Sequence, residues 1–267
     1  MTQSGVICLG EALIDFIPTD YTNMNYTKSP GGAPANVAVG LARLGVKSSF
    51  IGKVGDDSLG HFLKDAITNY GVDTRQLTFT KKAKTGFTLV TNDQSGERNF
   101  EFFIDPSADR FLEYNDIDQE HFLTHRIFHF GSISLITNPA KETTKRSINL
   151  AKKNKMIISY DPNLRLSLWE SPSVARETII SMFNHVDILK LSKEELEFVT
   201  GETSMINGIK KLSSYEIPLV VITLGSKGCY ISFKNDIKHI PAIKINAVDT
   251  TGAGDGFVSG LLYSVHN

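Results

Sequence analysis

The stretch Asp249-Thr250-Thr251-Gly252-Ala253-Gly254-Asp255-Gly256-Phe257 packs three glycines into five residues, just ahead of an apolar run. Glycine lets the backbone turn tightly, and the first turn of a helix has N–H groups with no carbonyl to bond. Those donors and the positive end of the helix dipole attract anions. Such a loop suits a phosphoryl group in transfer, whose charge must be stabilised where it develops. The dipole also favours an ionised Asp255, which could accept the proton of an attacking hydroxyl. A helix cap alone would equally place an acid there. The spacing is G-x-G-x-G, so it is neither the dinucleotide pattern nor the Lys-containing phosphate loop.

A second glycine motif, Gly31-Gly32-Ala33-Pro34-Ala35-Asn36-Val37-Ala38-Val39-Gly40, lies near the other end of the chain. Its glycines allow a ligand to come close to the backbone, and Asn36 is both donor and acceptor. A turn feeding a tightly packed small-residue helix reads the same way. Ser192-Lys193-Glu194-Glu195 has the S-x-x-E form of a capping box. His121, His125 and His129 are four apart but straddle a helix end and a strand start, so they read as structural residues rather than metal ligands. Cys8 and Cys229 sit in apolar runs without C-x-x-C spacing and read as buried core thiols in a reducing compartment.

The elements that must position these residues alternate in type. Strands are expected at Val6–Leu9, Phe50–Val54, Ile127–Phe130, Met156–Tyr160, Ile188–Leu191 and Leu219–Leu224. Helices are expected at Ala35–Leu44, Ser58–Tyr70, Ala140–Lys153, from near Ser192, and at Gly252–Val265. Buried strands alternating with helices imply a parallel sheet covered on both faces. One region breaks the rhythm: Gly86–Thr91 and Arg98–Ile104 flank the turn-forming run Asn92 to Glu97 and suggest a hairpin. Ile14–Pro18 alternates and could pair with it. Together these strands read as a small β lid on an α/β body, in a single domain spanning 1–267, with lid strands from about 12–28 and 86–105.

The two glycine motifs together resemble the ribokinase-like carbohydrate kinases, the PfkB family. Gly10-Glu11-Ala12-Leu13-Ile14-Asp15, Asp161-Pro162-Asn163-Leu164-Arg165 and Val221 to Gly228 fall in that family's order, so the likeness covers essentially the whole chain. Gly96-Glu97-Arg98-Asn99-Phe100 followed by Pro106-Ser107-Ala108-Asp109 is most similar to its fructokinases. The resemblance implies a three-layer α/β/α core with a mostly parallel sheet plus a β lid. It implies transfer of the γ-phosphoryl of ATP to a sugar hydroxyl, most simply that of fructose, with Mg2+ and room for a monovalent cation. Asp255 then matches the base, and Gly252, Ala253 and Gly254 the anion hole. Asp15, Gly31, Gly32, Asn36, Phe103 and Arg165 fall on the sugar side. Asn163, Lys190, Ser192, Thr223, Gly225 and Gly228 fall on the nucleotide side, and Glu195 is implied to act on magnesium through water.

The match has departures. Ser192 stands where the family has Asn, and Ile104 and Asp105 follow Phe102-Phe103 where a basic residue is common. Family members also continue several dozen residues past the Gly252-Ala253-Gly254-Asp255 motif, so a truncated C-terminus is expected. Other acceptors (ribose, 2-keto-3-deoxygluconate or a nucleoside) fit the same motifs, as does a catalytically impaired sugar-binding regulator. A homodimer through the lid is implied by relatives. The net charge of −1, with Lys and Arg scattered, offers no footprint for nucleic acid. No apolar run is long enough to cross a membrane, and the N-terminus is broken by Glu11 and Asp15, so the expected address is the cytoplasm.

Overall fold

The structure, a computed structural model, describes residues 3–93, 98–234, 236–246 and 250–267. The turn from Gln94 to Glu97 and Asp249 therefore lie outside the described residues. The chain opens with β1 (Val6–Leu9), β2 (Leu13–Pro18), β3 (Tyr26–Gly31), α1 (Ala33–Arg43), β4 (Ser48–Gly55) and α2 (Ser58–Asn69). It continues through β5 (Leu77–Thr80), β6 (Phe87–Asn92), β7 (Arg98–Phe103), β8 (Ile127–Phe130), α3 (Ala140–Lys153) and β9 (Ile157–Tyr160). Then come α4 (Pro172–Ser181), β10 (Ile188–Ser192), α5 (Lys193–Thr200), α6 (Met205–Leu212) and β11 (Leu219–Thr223). It closes with β12 (Cys229–Phe233), β13 (Asp236–Ile240) and α7 (Ala253–His266).

Nine strands form the main sheet in the order β13-β12-β11-β10-β9-β8-β1-β4-β5. Pairing from β5 to β11 is parallel, and β12 and β13 add an antiparallel edge. β1 shows why the sheet needs cover on both faces. Its residues are all buried, with Ile7 and Leu9 packing into one apolar cluster and Val6 and Cys8 into the other. The first cluster draws on α3, α4, α5 and α6, the second on α1, α2 and α7. A parallel sheet between two helical layers is the result.

Four strands form a second sheet in the order β3-β2-β6-β7. β2 pairs antiparallel with β3 and parallel with β6, while β6 and β7 are antiparallel. β3 runs to Gly31, so the glycine read as the start of a turn ends a strand instead. The turn is made by Gly32 alone (φ 102), at the position ahead of α1. α1 begins at Ala33, two residues earlier than the periodicity predicts, because Pro34 is tolerated in a first helical turn. β5 and β13 were not expected from the sequence: both are short edge elements with little apolar signal.

The candidate active site

Asp255 stands in the first turn of α7, after Gly252 in the left-handed region at φ 70. Its carboxylate is held by two amides from distant parts of the chain. Asn36 Nδ2 donates to Oδ2 at 2.8 Å and Asn163 Nδ2 to Oδ1 at 3.3 Å. Asn36 reaches it because α1 packs directly on α7. Gly40 makes this close approach possible: a Cβ there would sit 2.3 Å from Ser259 Oγ. Asn163 reaches it from the loop after β9, where its φ of 47 is one that Asn adopts more readily than most residues.

Burial acts against the expected dipole effect on Asp255. With 7% of its surface exposed, desolvation pushes its pKa up, while the Asn36 hydrogen bond, Lys190 and Arg165 pull it back. Lys190 pairs with buried Asp161 at 2.9 Å. Desolvation opposes its charge, but Asp161, Glu195 and Asp255 together raise its pKa, so it stands as an ammonium. Its Nζ lies 3.5 Å from where a Cβ on Gly254 would be. Ala253 turns its N–H back to Thr250 O at 3.1 Å, which takes that amide out of the anion-binding set predicted for Gly252 to Gly254.

Two adjoining cavities meet at Asp255. One, of about 280 Å³, is lined by Glu11, Asp15, Gly32, Asn36, Thr88 and Phe102, among others. The other, of about 400 Å³, is lined by Lys190 and the run 250–254. Asn163, Arg165, Phe100, Thr251, Gly252 and Asp255 belong to both. Gly31 leaves room for Asp15, since a Cβ on it would fall 2.3 Å from Asp15 Oδ2. Burial raises the pKa of Asp15. A third cavity, past Asn163 and Lys190, runs along Ser192, Glu194 and Glu195.

Not every expected residue faces these spaces. Phe103 stacks on Phe87, with ring centroids 4.6 Å apart, and lines neither of the two cavities at Asp255. Phe100 and Phe102 line the sugar-side cavity in its place. The period of two along β7 puts residues 100 and 102 on one face and 103 on the other, a signal present in the sequence. Thr223 and the Gly225–Gly228 turn line none of the three cavities. Thr223 is the parallel neighbour of Ser192, at the end of the strand beside it. Gly228, at φ 92, would set a Cβ 2.0 Å from Ile240 O, so the β12–β13 edge by itself requires glycine there.

Glu195 has both oxygens occupied. Oε2 accepts from Ser192 N at 2.7 Å, completing the capping box of α5, and Oε1 accepts from Leu164 N at 2.7 Å. It thereby fixes the loop that carries Asn163 and Arg165. Among the described residues no three His, Cys, Asp or Glu side chains converge as a metal cage. No helix among them is long and apolar enough to cross a membrane. Glu11 and Asp161 were not singled out by sequence, because neither stands in a glycine-rich or periodic context.

A carboxylate between an acceptor cavity and a cationic, glycine-lined one at the strand ends of an α/β sheet defines a phosphotransferase acting on an alcohol. Comparison with known proteins gives the family. Residues 3–267 match the "pfkB family carbohydrate kinase" description, and the chain belongs to that family. "Probable fructokinase-6, chloroplastic" of Arabidopsis thaliana is 44% identical over 270 residues, covering 98% of this chain and 70% of the relative. The Vibrio cholerae O395 fructokinase in its fructose, ADP and calcium ion bound form superposes with a TM-score of 0.91 at 38% identity. That match covers 99% of this chain and 84% of that one. A Xylella fastidiosa fructokinase with bound ATP gives 0.91 at 31% identity, covering 99% and 82%. The fold is therefore the ribokinase-like α/β/α core with a small separate sheet.

Proposed function

We propose that the protein transfers the γ-phosphoryl group of ATP to the 6-hydroxyl of fructose, with Asp255 as general base. The observation that carries this reading is the place of Asp255, buried between Asn36 and Asn163 where the two cavities meet. Fructose takes the cavity beneath the small sheet, where Asp15, Asn36 and Arg165 offer acceptors and donors to its hydroxyls. The nucleotide phosphates take the adjoining cavity, against the first turn of α7 and the Lys190 ammonium. As the hydroxyl oxygen bonds to the γ-phosphorus, its proton passes to Asp255. The bond to the bridging oxygen breaks, and ADP leaves with that electron pair. The helix start and Lys190 stabilise charge on the transferring group.

Magnesium would ride on the nucleotide phosphates. Glu195 fits only contact through water, because both of its oxygens already hold backbone amides. Thr223, Gly225 and Gly228 would meet the nucleotide beyond Ser192 only if it extends along the strand ends. The open edges β3 and β7 of the small sheet support a homodimer through it.

The test is a panel of fructose, ribose, 2-keto-3-deoxygluconate and nucleosides, assayed by ADP release with wild type and Asp255→Asn. Fructose is expected to have the highest kcat/KM. The variant is expected to lose about 100- to 10,000-fold in kcat while still binding fructose. A variant with near wild-type turnover would remove Asp255 from the role of base, and a different best acceptor would overturn the substrate.

A further inference from the structure

Glu11 lies in the turn between β1 and β2 and lines the sugar-side cavity, but the chemistry above gives it no part. The residue is 4% exposed. Its Oε1 accepts from Ala33 N at 3.0 Å, at the start of α1, where Gly32 offers no side-chain cap. Its Oε2 is buried with no hydrogen-bond partner among the described residues. Buried polar atoms in folded proteins are almost always partnered, and an orphan beside a ligand cavity is one that a ligand can satisfy.

The protonation state follows from the surroundings. A buried carboxylate with one oxygen unpaired and no cation against it is strongly disfavoured. Asp109, from the segment after β7, and Asp255, from α7, add negative charge, and Asp15 from β2 shares the cavity. Burial first, with Asp109 and Asp255 adding to it, pushes Glu11 up to about 8. Oε1 is engaged by Ala33 N–H, so the proton belongs on Oε2, where it makes a donor. Asp15 and Asp255 can only accept. A sugar hydroxyl that donates to either of them has lone pairs left that need a donor in turn.

We propose that Glu11 is a further sugar-binding and specificity residue, anchored through Oε1 to Ala33 N–H and donating from Oε2 to a hydroxyl oxygen of the acceptor. The proposal rests on the reading that this cavity takes the sugar. The test is calorimetric titration, without nucleotide, of fructose and its 1-, 3- and 4-deoxy analogues. Wild type, Glu11→Met and Glu11→Gln are compared between pH 6.5 and 9.5, with thermal melts alongside. One analogue is expected to bind wild type about tenfold more weakly than fructose, with that penalty gone in Glu11→Met. Glu11→Gln restores fructose affinity relative to Met and stays flat with pH, whereas wild type weakens above about pH 8. Equal penalties for every analogue in wild type and Met would overturn the proposal. So would equal pH slopes in wild type and Gln, a comparison that stands even where Met does not fold. A wild type that neither binds nor phosphorylates fructose sinks the functional reading instead, and the titration then uses the acceptor it does phosphorylate and its deoxy analogues.

Discussion

As the proposed base, Asp255 must be ionised to accept a proton, and burial works against that. Its folded pKa is raised, so activity is lost as pH falls through a value above the ordinary carboxylate range. The acid limb of kcat/KM is therefore expected above that range. Asn36 lowers the pKa through its hydrogen bond, so Asn36→Ala moves the limb to higher pH and costs more kcat/KM at acid pH than at neutral pH. An unmoved limb in the variant would show that Asn36 does not tune the base. Lys190 holds a different position, because its partner Asp161 is 4% exposed. Lys190→Met leaves that carboxyl unpaired and is expected to destabilise the fold by about 3–5 kcal/mol in urea titrations. Asp161 becoming neutral would soften this loss, so a simultaneous Asp161→Asn change should recover much of it.

The site depends at the scale of elements on how closely α1 and α7 approach. Gly40 faces Ser259, whose Oγ donates to Val37 O at 3.2 Å and to Asp255 O at 2.9 Å. A methyl at Gly40 would collide with that side chain and push the helices apart, carrying Asn36 away from Asp255. Gly40→Ala is expected to cost about 1–3 kcal/mol and to lower kcat as well. The double variant Gly40→Ala/Ser259→Gly should recover kcat more fully than stability, since it relieves the clash but loses a hydroxyl and adds a helical glycine. Thermal melts and steady-state kinetics on the three proteins check this. Such helix contacts were legible only in part. The small residues of α1 announced close packing, but nothing in the sequence named Ser259 as the partner.

Across the whole molecule, the three spaced histidines act on stability rather than chemistry. His125 and His129 are 0% and 2% exposed. Desolvation holds their pKa values down to about 4 and about 3, from an ordinary value near 6.5. The unfolded chain thus takes up protons that the folded one refuses. The histidines' contribution to stability should be level above about pH 6.5 and fall as pH drops from there toward 4, opposed by buried Glu11, which takes up a proton in the folded state. The loss is on the order of 3 kcal/mol per histidine. Urea unfolding of wild type and His129→Asn between pH 7 and 4 should isolate this loss, as a stability difference between the two that changes with pH in favour of the variant toward pH 4. A slope unchanged in the variant would place the acid sensitivity elsewhere.

The sequence by itself determined the alternation of strands and helices, the glycine turns, and the two motifs that bracket the site. These depend on neighbours along the chain: a periodicity, a glycine's freedom, a cap three residues on. Only the tertiary structure decided that Asn36 and Asn163 grip opposite oxygens of Asp255, that Lys190 answers to Asp161, and that Phe102 rather than Phe103 meets the cavity. It also decided that Glu195 holds the Leu164 amide and that Glu11, which lines the cavity at Asp255, keeps an oxygen without a hydrogen-bond partner among the described residues. Which atoms are desolvated, and which charges meet across more than a hundred residues of chain, is set by packing that no local pattern encodes.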